Sequence, residues 1–225
     1  MLFEETSKKK DLEIDNFIFD LDGTLIDSRE DIIFYLEKAI CSIPGFKDIR
    51  VSKKHIGPPL IDMIKIIVPD IDDIIKNEIL QKFKYYYDTC SYKKTKLFPG
   101  TIKLLRNLSK KNKRIFLVTN KRLIPTLRII RLFKINYFID IITSDILGEN
   151  KLNKVEMIQM IIDKWSLLPN KTIMIGDTTE DIQAAQISGI LSCAFISGYG
   201  DPEEIKKVNP SFIYSNNEEL INFFT

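Results

Sequence analysis

Two aspartates, Asp20 and Asp22, end an apolar run and are the residues of this sequence best suited to chemistry. Residues 14–19 are mostly β-branched or aromatic, and the segment 20–25 that follows reads Asp-Leu-Asp-Gly-Thr-Leu. Side chains two residues apart in an extended chain point to the same face, so both carboxylates share one face of the strand end. Acids held this close require a proton or a cation between them. We therefore predict a metal-assisted site in which one carboxylate attacks and the other handles a proton.

Further polar groups follow later apolar runs. Thr119 and Asn120 end one of them, and their hydroxyl, amide and backbone N–H groups suit phosphoryl oxygens. Asp177 and Asp181 follow another. Carboxylates are hard oxygen ligands of the kind that Mg²⁺ takes together with water and phosphate. We expect the acids to hold Mg²⁺ and the donors to hold a phosphoryl group.

A lysine ahead of a helix would supply a cation, and two positions compete for this role. Asn153 can cap a helix with Glu156 three residues later, which makes Lys154 the first helical residue. Lys151 is the alternative, because sequence patterns place a helix start only to within a few residues. We favour Lys154.

The second half of the sequence alternates between strand-like and helix-like segments. Apolar runs occupy residues 114–118, 139–143, 172–175, 193–196 and 212–214, and helix-periodic stretches occupy 102–108, 124–133, 155–165 and 181–188. This alternation predicts an α/β fold with a doubly wound, Rossmann-like parallel sheet. Such sheets place their sites at the carboxyl ends of the strands, which is where the polar groups follow the apolar runs.

Residues 28–96 break the alternation and read as helical, with no confident strand. Residues 27–30 offer a helix start with capping residues, and 61–68 and 74–87 read as further helices. Proline and glycine in the segment 97–100 mark a hinge back to the sheet. We therefore predict a discontinuous catalytic core, residues 12–26 and 97–225, with an inserted α-helical cap domain, residues 27–96.

These segments, in this order, resemble the haloacid dehalogenase-like superfamily of phosphotransferases. The resemblance rests on the segment 20–25, on Thr119-Asn120, on a following lysine and on the Gly-Asp and later Asp of residues 176–181. Finer likenesses, to the phosphoglycolate phosphatase-like group, lie at Ile56-Gly57-Pro58-Pro59-Leu60, Leu97-Phe98-Pro99-Gly100 and Val118-Thr119-Asn120-Lys121.

The resemblance implies a role for each site residue. Asp20 would be the nucleophile that forms an aspartyl-phosphate, and Asp22 would protonate the leaving alcohol and then deprotonate water. The phosphoryl oxygens would be held by Thr119, Asn120 and Lys154. Mg²⁺ would be bound by Asp20, the backbone carbonyl of Asp22, Asp177 and Asp181.

The resemblance implies a Mg²⁺-dependent phosphatase that hydrolyses small phosphomonoesters such as phosphoglycolate, a nucleotide or a sugar phosphate. A phosphosugar mutase of the same superfamily is the alternative enzyme. A non-catalytic, phospho-responsive regulatory or binding protein is the alternative from another class. The single histidine, His55, lies in the predicted cap and is either a substrate contact or an ordinary cap residue.

Composition limits the partners and the setting. The 33 basic and 31 acidic residues give a net charge of +2, which provides no reason to expect nucleic acid as a partner. No apolar run is long enough to cross a bilayer, and residues 1–11 lack the apolar core of a signal peptide. Three widely spaced cysteines form no disulfide framework, which predicts a reducing cytoplasm. We expect a monomer or homodimer that acts on a small phosphorylated metabolite.

Overall fold

The computed structural model describes residues 13–148 and 151–224. Residues 1–12 and Thr225, which include the outer ends of the predicted core, lie outside this description. The strands are β1 (Asn16–Phe19), β2 (Ile26–Asp27), β3 (Lys96–Leu97), β4 (Arg114–Thr119), β5 (Asp140–Thr143), β6 (Thr172–Gly176), β7 (Leu191–Phe195) and β8 (Phe212–Tyr214). The helices are α1 (Arg29–Cys41), α2 (Leu60–Ile67), α3 (Asp73–Thr89), α4 (Thr101–Lys110), α5 (Leu123–Phe133), α6 (Lys154–Trp165), α7 (Thr179–Ile187), α8 (Pro202–Lys207) and α9 (Asn217–Phe224).

Six strands form one parallel sheet in the order β5-β4-β1-β6-β7-β8. The first strand lies at its centre, between β4 and β6, and all four of its residues are buried. A strand covered on both faces has no solvent side, which is why its sequence is apolar rather than alternating. The predicted α/β class with a doubly wound parallel sheet is confirmed.

Successive residues of β1 pack into different cores. Phe17 and Phe19 belong to a cluster that includes apolar residues of α4, α5 and α9. Ile18 belongs to a second cluster, with Met157 of α6 and Ala184 of α7. Since neighbouring side chains of a strand point to opposite faces, helices cover both faces of the sheet. Among the described residues, no helix combines the length and the apolar character that a membrane span needs.

Helices α1, α2 and α3 lie between β2 and β3, and we call residues 27–96 the helical insert. Its buried residues Leu36, Ile64 and Phe83 join the same apolar cluster as Phe17 of the sheet. Helix α1 begins close to the predicted start, and α2 and α3 begin and end close to the predicted positions. The insert therefore shares one continuous apolar cluster with a face of the sheet.

The ends of the insert are paired, which the sequence did not predict. Ile26 pairs with Leu97 and Asp27 with Lys96 in a two-stranded antiparallel sheet. Strands of two residues are too short to show a period in the sequence. Asp31 of α1 accepts hydrogen bonds from the backbone N–H and the hydroxyl of Thr95, both at 2.7 Å, and so anchors the returning chain.

At the start of α1, Asp27 rather than Ser28 accepts from a helix backbone N–H, that of Arg29, at 3.2 Å. The helix begins at Arg29, but the Ser28 side chain makes no capping hydrogen bond. Its hydroxyl donates instead to the carboxylate of Asp22. A charged acceptor forms a stronger hydrogen bond than a neutral one, so the side chain turns toward Asp22.

Candidate active site

Asp20 follows directly after β1 and is held by the neighbouring strand β6 and by helix α6. Its backbone N–H donates to the carbonyl of Ile175 in β6 at 2.9 Å. The residue is only 6 % exposed, and its Oδ1 accepts a hydrogen bond from Lys154 Nζ at 2.7 Å. The first carboxylate of the sequence motif is thus a buried charge with a direct cationic partner.

Lys154, rather than Lys151, is the lysine that reaches this carboxylate. The predicted capping box is confirmed, since Asn153 and Glu156 cap α6 reciprocally and Lys154 is its first residue. Lys154 is buried, and its Nζ lies 2.9 Å from Asp181 Oδ1, an ion pair without hydrogen-bond geometry. Lys151 is exposed. A capped helix start therefore aims one ammonium group between two carboxylates.

Asp177 and Asp181 follow β6 and are also buried. Asp177 Oδ1 accepts from the Thr24 hydroxyl at 2.8 Å, and Oδ2 accepts from the Tyr199 backbone N–H at 2.7 Å. Asp181 Oδ2 accepts from the hydroxyl of Thr178, the N-cap of α7, at 2.7 Å. Each carboxylate is fixed by donors from its surroundings, which predefines the geometry of the cluster.

Glycine is required where Asp177 approaches the β1 turn. Gly23 has φ of +91°, a conformation that other residues rarely adopt, and a Cβ at this position would overlap the Asp177 carboxylate. A Cβ on Gly198 would overlap the same side chain. The glycine of the sequence motif thus allows Asp177 to come close to the turn that carries Asp22.

Among the residues that the structure describes, the charges of the cluster do not balance. Asp20, Asp177 and Asp181 offer oxygens that all lie within 4.8 Å of one another, with one ammonium group, Lys154, between two of them. Burial, opposed by the nearby ammonium, raises the pKa of Asp20 well above its usual range. Burial and the charge of Asp181 raise the pKa of Asp177 to about 7. Burial would lower the pKa of Lys154, but Asp181 and Asp20 outweigh it and hold that pKa above its usual value.

This surplus of buried negative charge fits a divalent cation. Hard carboxylate oxygens at this spacing are ligands suited to Mg²⁺, which neutralises charge that one lysine leaves uncompensated. The Asp22 side chain does not belong to the cluster of Asp20, Asp177 and Asp181. The contact that we expect between Asp22 and the metal is made by its backbone carbonyl alone.

Asp22 instead faces the helical insert. Lys121 Nζ lies 2.9 Å from its Oδ1 and 2.8 Å from its Oδ2. The Ser28 hydroxyl also donates to Oδ1. Sequence reasoning missed Lys121 as a site residue, although its place directly after Thr119-Asn120 was an available signal. The two aspartates of the motif therefore have separate surroundings, one among carboxylates and one among hydrogen-bond donors.

Tyr199 is a second residue that the sequence did not reveal. Its hydroxyl accepts from the Ser28 backbone N–H at 2.6 Å and lies 3.2 Å from Asp27 Oδ1. Burial and the charge of Asp22 raise the pKa of Tyr199 above its usual value. The tyrosine links the loop after β7 to the start of the insert through contacts that no local pattern encodes.

The predicted phosphate donors lie at the end of β4. Thr119 is buried, and its Oγ1 accepts from the Lys121 backbone N–H at 3.2 Å. Asn120 is exposed, and its amide donates to Glu180 of α7 at 3.0 Å. His55 lies in a 3₁₀ turn of the insert, where its Nδ1 accepts from the Ser52 backbone N–H at 3.1 Å. The structure thus brings Thr119 and Asn120 to the same sheet edge as Asp20.

Comparison with known proteins identifies the family. Residues 17–195 match the model of the haloacid dehalogenase-like hydrolases, which covers the strand ends that carry all the carboxylates described above. The chain belongs to the haloacid dehalogenase-like hydrolase family. The resemblance that the sequence motifs suggested is therefore confirmed.

Individual haloacid dehalogenase-like relatives align over nearly the whole chain. The phosphoglycolate phosphatase of Vibrio vulnificus is 28% identical over 222 residues, covering 93% of this chain and 96% of the relative. A 5′-nucleotidase of Pseudomonas aeruginosa is 25% identical, covering 89% and 90%. The crystal structure of a candidate phosphatase from Clostridium difficile superposes with a TM-score of 0.83 at 30% identity, covering 95% and 99%. The chain is a phosphatase of the phosphoglycolate phosphatase-like kind, as predicted, which argues against the non-catalytic regulatory alternative.

Proposed function

We propose that this haloacid dehalogenase-like phosphatase hydrolyses small phosphomonoesters with Mg²⁺ through an aspartyl-phosphate on Asp20. The observation that carries the proposal is the buried cluster of Asp20, Asp177 and Asp181 around one lysine. Such a site is too negative to receive a phosphate dianion without an added cation, and with one it holds a nucleophile beside cationic charge.

In the first half of the reaction Asp20 attacks phosphorus. Lys154 holds Oδ1, so Oδ2 is the oxygen that we assign to the attack. The bond from Oδ2 to phosphorus forms as the bond from phosphorus to the alcohol oxygen breaks. Asp22, in its acid form, gives its proton to that oxygen, so the substrate leaves as a neutral alcohol.

In the second half Asp22, now a carboxylate, takes a proton from water. The water oxygen attacks phosphorus, the bond to Asp20 breaks, and inorganic phosphate leaves. Asp20 is again a carboxylate and Asp22 again an acid, which completes the cycle with charge and protons balanced.

The remaining groups of the site bind rather than react. Lys154, Thr119 and Asn120 hold phosphoryl oxygens; the Asn120 amide has two N–H donors, and Glu180 accepts from only one of them. Mg²⁺ would be held by Asp20, Asp177, Asp181 and the backbone carbonyl of Asp22. When bound, the ion offsets the negative charge shared by the nucleophile and the phosphoryl group.

We propose the same division of the chain that the sequence predicted, with residues 12–26 and 97–225 as the core and 27–96 as a cap that shields the site from water. The named activities of the Vibrio and Pseudomonas relatives support phosphoglycolate and nucleoside monophosphates as first substrates, with sugar phosphates as the third class. A cytoplasmic setting and a monomeric or homodimeric state complete the proposal.

The test is phosphate release from 2-phosphoglycolate, a nucleoside 5′-monophosphate and a hexose 1-phosphate, with Mg²⁺ and with EDTA. We expect turnover of at least one substrate, lost in EDTA and lost in Asp20→Asn. Acid-quenched wild type should carry a phosphoryl group on the peptide that contains Asp20. Asp163→Asn, the same change on the exposed face of α6, serves as the matched control and should retain full activity.

Two outcomes would contradict the proposal. Full activity in Asp20→Asn would remove the assigned nucleophile. Conversion of the hexose 1-phosphate to its 6-phosphate without phosphate release would indicate the mutase reaction. Mg²⁺ should also raise the melting temperature of the wild type but not that of Asp177→Asn, a readout that needs no turnover.

A further inference from the structure

Asp22 is held on both of its oxygens by a single buried lysine. Lys121 Nζ lies 2.9 Å and 2.8 Å from the two oxygens, and the lysine side chain is only 5 % exposed. Because one ammonium nitrogen lies at nearly equal distances from both oxygens, it constrains the direction of the carboxylate as well as its place. The ammonium therefore sets where the Asp22 oxygens point.

The third contact of this ammonium comes from the helical insert. Lys121 Nζ donates to the Tyr87 hydroxyl at 3.0 Å and lies 4.8 Å from the centre of its ring. Tyr87 is in α3 and is buried. Burial and the charge of Asp22 raise the pKa of Tyr87 well above its usual range, so the hydroxyl remains a neutral acceptor. An ammonium group has three N–H donors, and these three contacts match them.

The segment after Lys121 is fastened to the same end of α3. Arg122 makes a two-pronged ion pair with Asp88, the neighbour of Tyr87, with Nη1 at 2.7 Å. Arg128 of α5 donates to the backbone carbonyl of Asp88 at 2.6 Å and of Cys90 at 3.0 Å. Cations at a helix carboxyl terminus satisfy carbonyls that have no partner within the helix. The end of α3 thus docks on the core beside Asp22.

We propose that Lys121 is a positioning residue for Asp22 and that Tyr87 makes this positioning depend on the docking of the helical insert. The inference rests on the proposed function, because it concerns the proton step of that reaction. With α3 docked, Lys121 is enclosed; it holds both oxygens of the carboxylate form of Asp22 and, in the acid form, the oxygen that does not carry the proton. With α3 away, the ammonium loses Tyr87 and gains water, and the carboxyl group is free to turn. Proton transfer then occurs when the insert covers the substrate.

The leaving group shows whether Asp22 is correctly placed. An alkyl phosphate releases a strongly basic alkoxide oxygen that needs the proton of Asp22 as its bond to phosphorus breaks. p-Nitrophenyl phosphate releases a weakly basic oxygen that needs little help. Because kcat/KM reports only the steps up to release of the alcohol, it isolates this half of the reaction.

The experiment compares kcat/KM for 2-phosphoglycolate and p-nitrophenyl phosphate, with Mg²⁺, in Lys121→Met and Tyr87→Phe. General acid catalysis is worth about a hundredfold or more, so we expect Lys121→Met to lose about a hundredfold for the alkyl ester and less than about tenfold for the aryl ester. Tyr87→Phe, which removes only the acceptor, should lose about tenfold, again selectively for the alkyl ester. Lys113→Met, which removes a lysine paired with Asp15, is the matched control and should leave the ratio unchanged.

A further pair of variants tests the dependence on docking. Asp88→Asn weakens the contact of α3 with Arg122 without touching Asp22. It should lower kcat/KM for the alkyl ester more than kcat/KM for the aryl ester. Glu78→Gln, which breaks an ion pair within α3, should not. If the ratio of kcat/KM for the two substrates is unchanged in Asp88→Asn, the positioning of Asp22 does not depend on Tyr87 or on the docking of the insert.

Other results would overturn the role of Lys121. Equal losses of kcat/KM for both substrates in folded Lys121→Met and Tyr87→Phe would indicate that these residues have a purely structural role. A loss confined to KM for 2-phosphoglycolate would make Lys121 a ligand of the substrate carboxylate instead. Absence of turnover in the wild type, or full activity in Asp20→Asn, would contradict the proposed function itself and is recognised separately.

Discussion

Asp177→Asn should make the metal-free protein more stable at alkaline pH, although it removes a proposed metal ligand. The carboxyl has a pKa of about 7 in the folded chain against an ordinary value of 3.8. The folded protein therefore binds this proton more tightly than the unfolded chain does. The resulting stability is fully present below pH 3.8 and is lost as the pH rises through 7. This difference in proton affinity corresponds to about 4 kcal/mol.

The Asp177→Asn variant should regain only part of this free energy of unfolding, because its amide side chain fits the surrounding donors less well. Its oxygen can still accept from the Thr24 hydroxyl, but its NH₂ group would face the backbone N–H of Tyr199, which now donates to Asp177 Oδ2. An unsatisfied buried donor costs about 1–3 kcal/mol. We therefore expect Asp177→Asn to gain about 1–3 kcal/mol in free energy of unfolding at pH 8, which raises the melting temperature by about 5 °C for a chain of this size.

Urea denaturation in EDTA at pH 5 and pH 8, followed by circular dichroism, measures the effect. The wild type should be more stable at pH 5 than at pH 8, and Asp177→Asn should lose much of that difference. Saturating Mg²⁺ should reverse the order at pH 8, because only the wild type keeps the full ligand set; a hundredfold excess over Kd adds about 2.7 kcal/mol.

Asp140→Asn is the control, since this carboxyl is perturbed in the opposite direction. Burial would raise its pKa, but hydrogen bonds from Lys164 and Trp165 outweigh burial and lower it. The variant should lose about 1 kcal/mol in free energy of unfolding at both pH values, and its stability should depend on pH as that of the wild type does. If the metal-free wild type were equally stable at pH 5 and 8, or if Asp177→Asn were the less stable protein at pH 8, our account of the charge surplus would be refuted.

Three further predictions concern stability and metal binding. Lys154→Met leaves buried carboxylates without their cation, so urea denaturation at pH 8 should show a loss of about 3–5 kcal/mol, and a loss below about 1 kcal/mol would contradict the ion pairing. Gly23→Ala places a Cβ against Asp177 at a positive φ, and calorimetry should show Mg²⁺ binding abolished; unchanged binding would mean that the turn tolerates the methyl group. Asp31→Ala removes the acceptor of the Thr95 hydrogen bonds, and thermal unfolding should show a loss of about 1–3 kcal/mol, whereas no loss would show that water replaces the carboxylate.

The sequence by itself determined the features that depend on neighbouring residues. Apolar runs that end at polar groups located the strands and placed Asp20 and Asp177 at strand ends, because burial on both faces requires continuous apolar sequence. The capping pair Asn153 and Glu156 located the start of α6, because it lies within three residues. Family membership followed from motifs of the same local kind.

The surroundings of Asp22 were decided only by the tertiary structure. Lys121 reaches it across 99 positions of the sequence, and Tyr199 reaches Ser28 across 171. The same holds for the choice of Lys154 over Lys151, since only the packed helix shows which ammonium is buried against Asp20. The sheet order sets β1 between β4 and β6, so chain segments far apart in sequence meet at one edge. Local patterns encode a strand end and its carboxylate, whereas the partners of that carboxylate depend on which strands lie beside it.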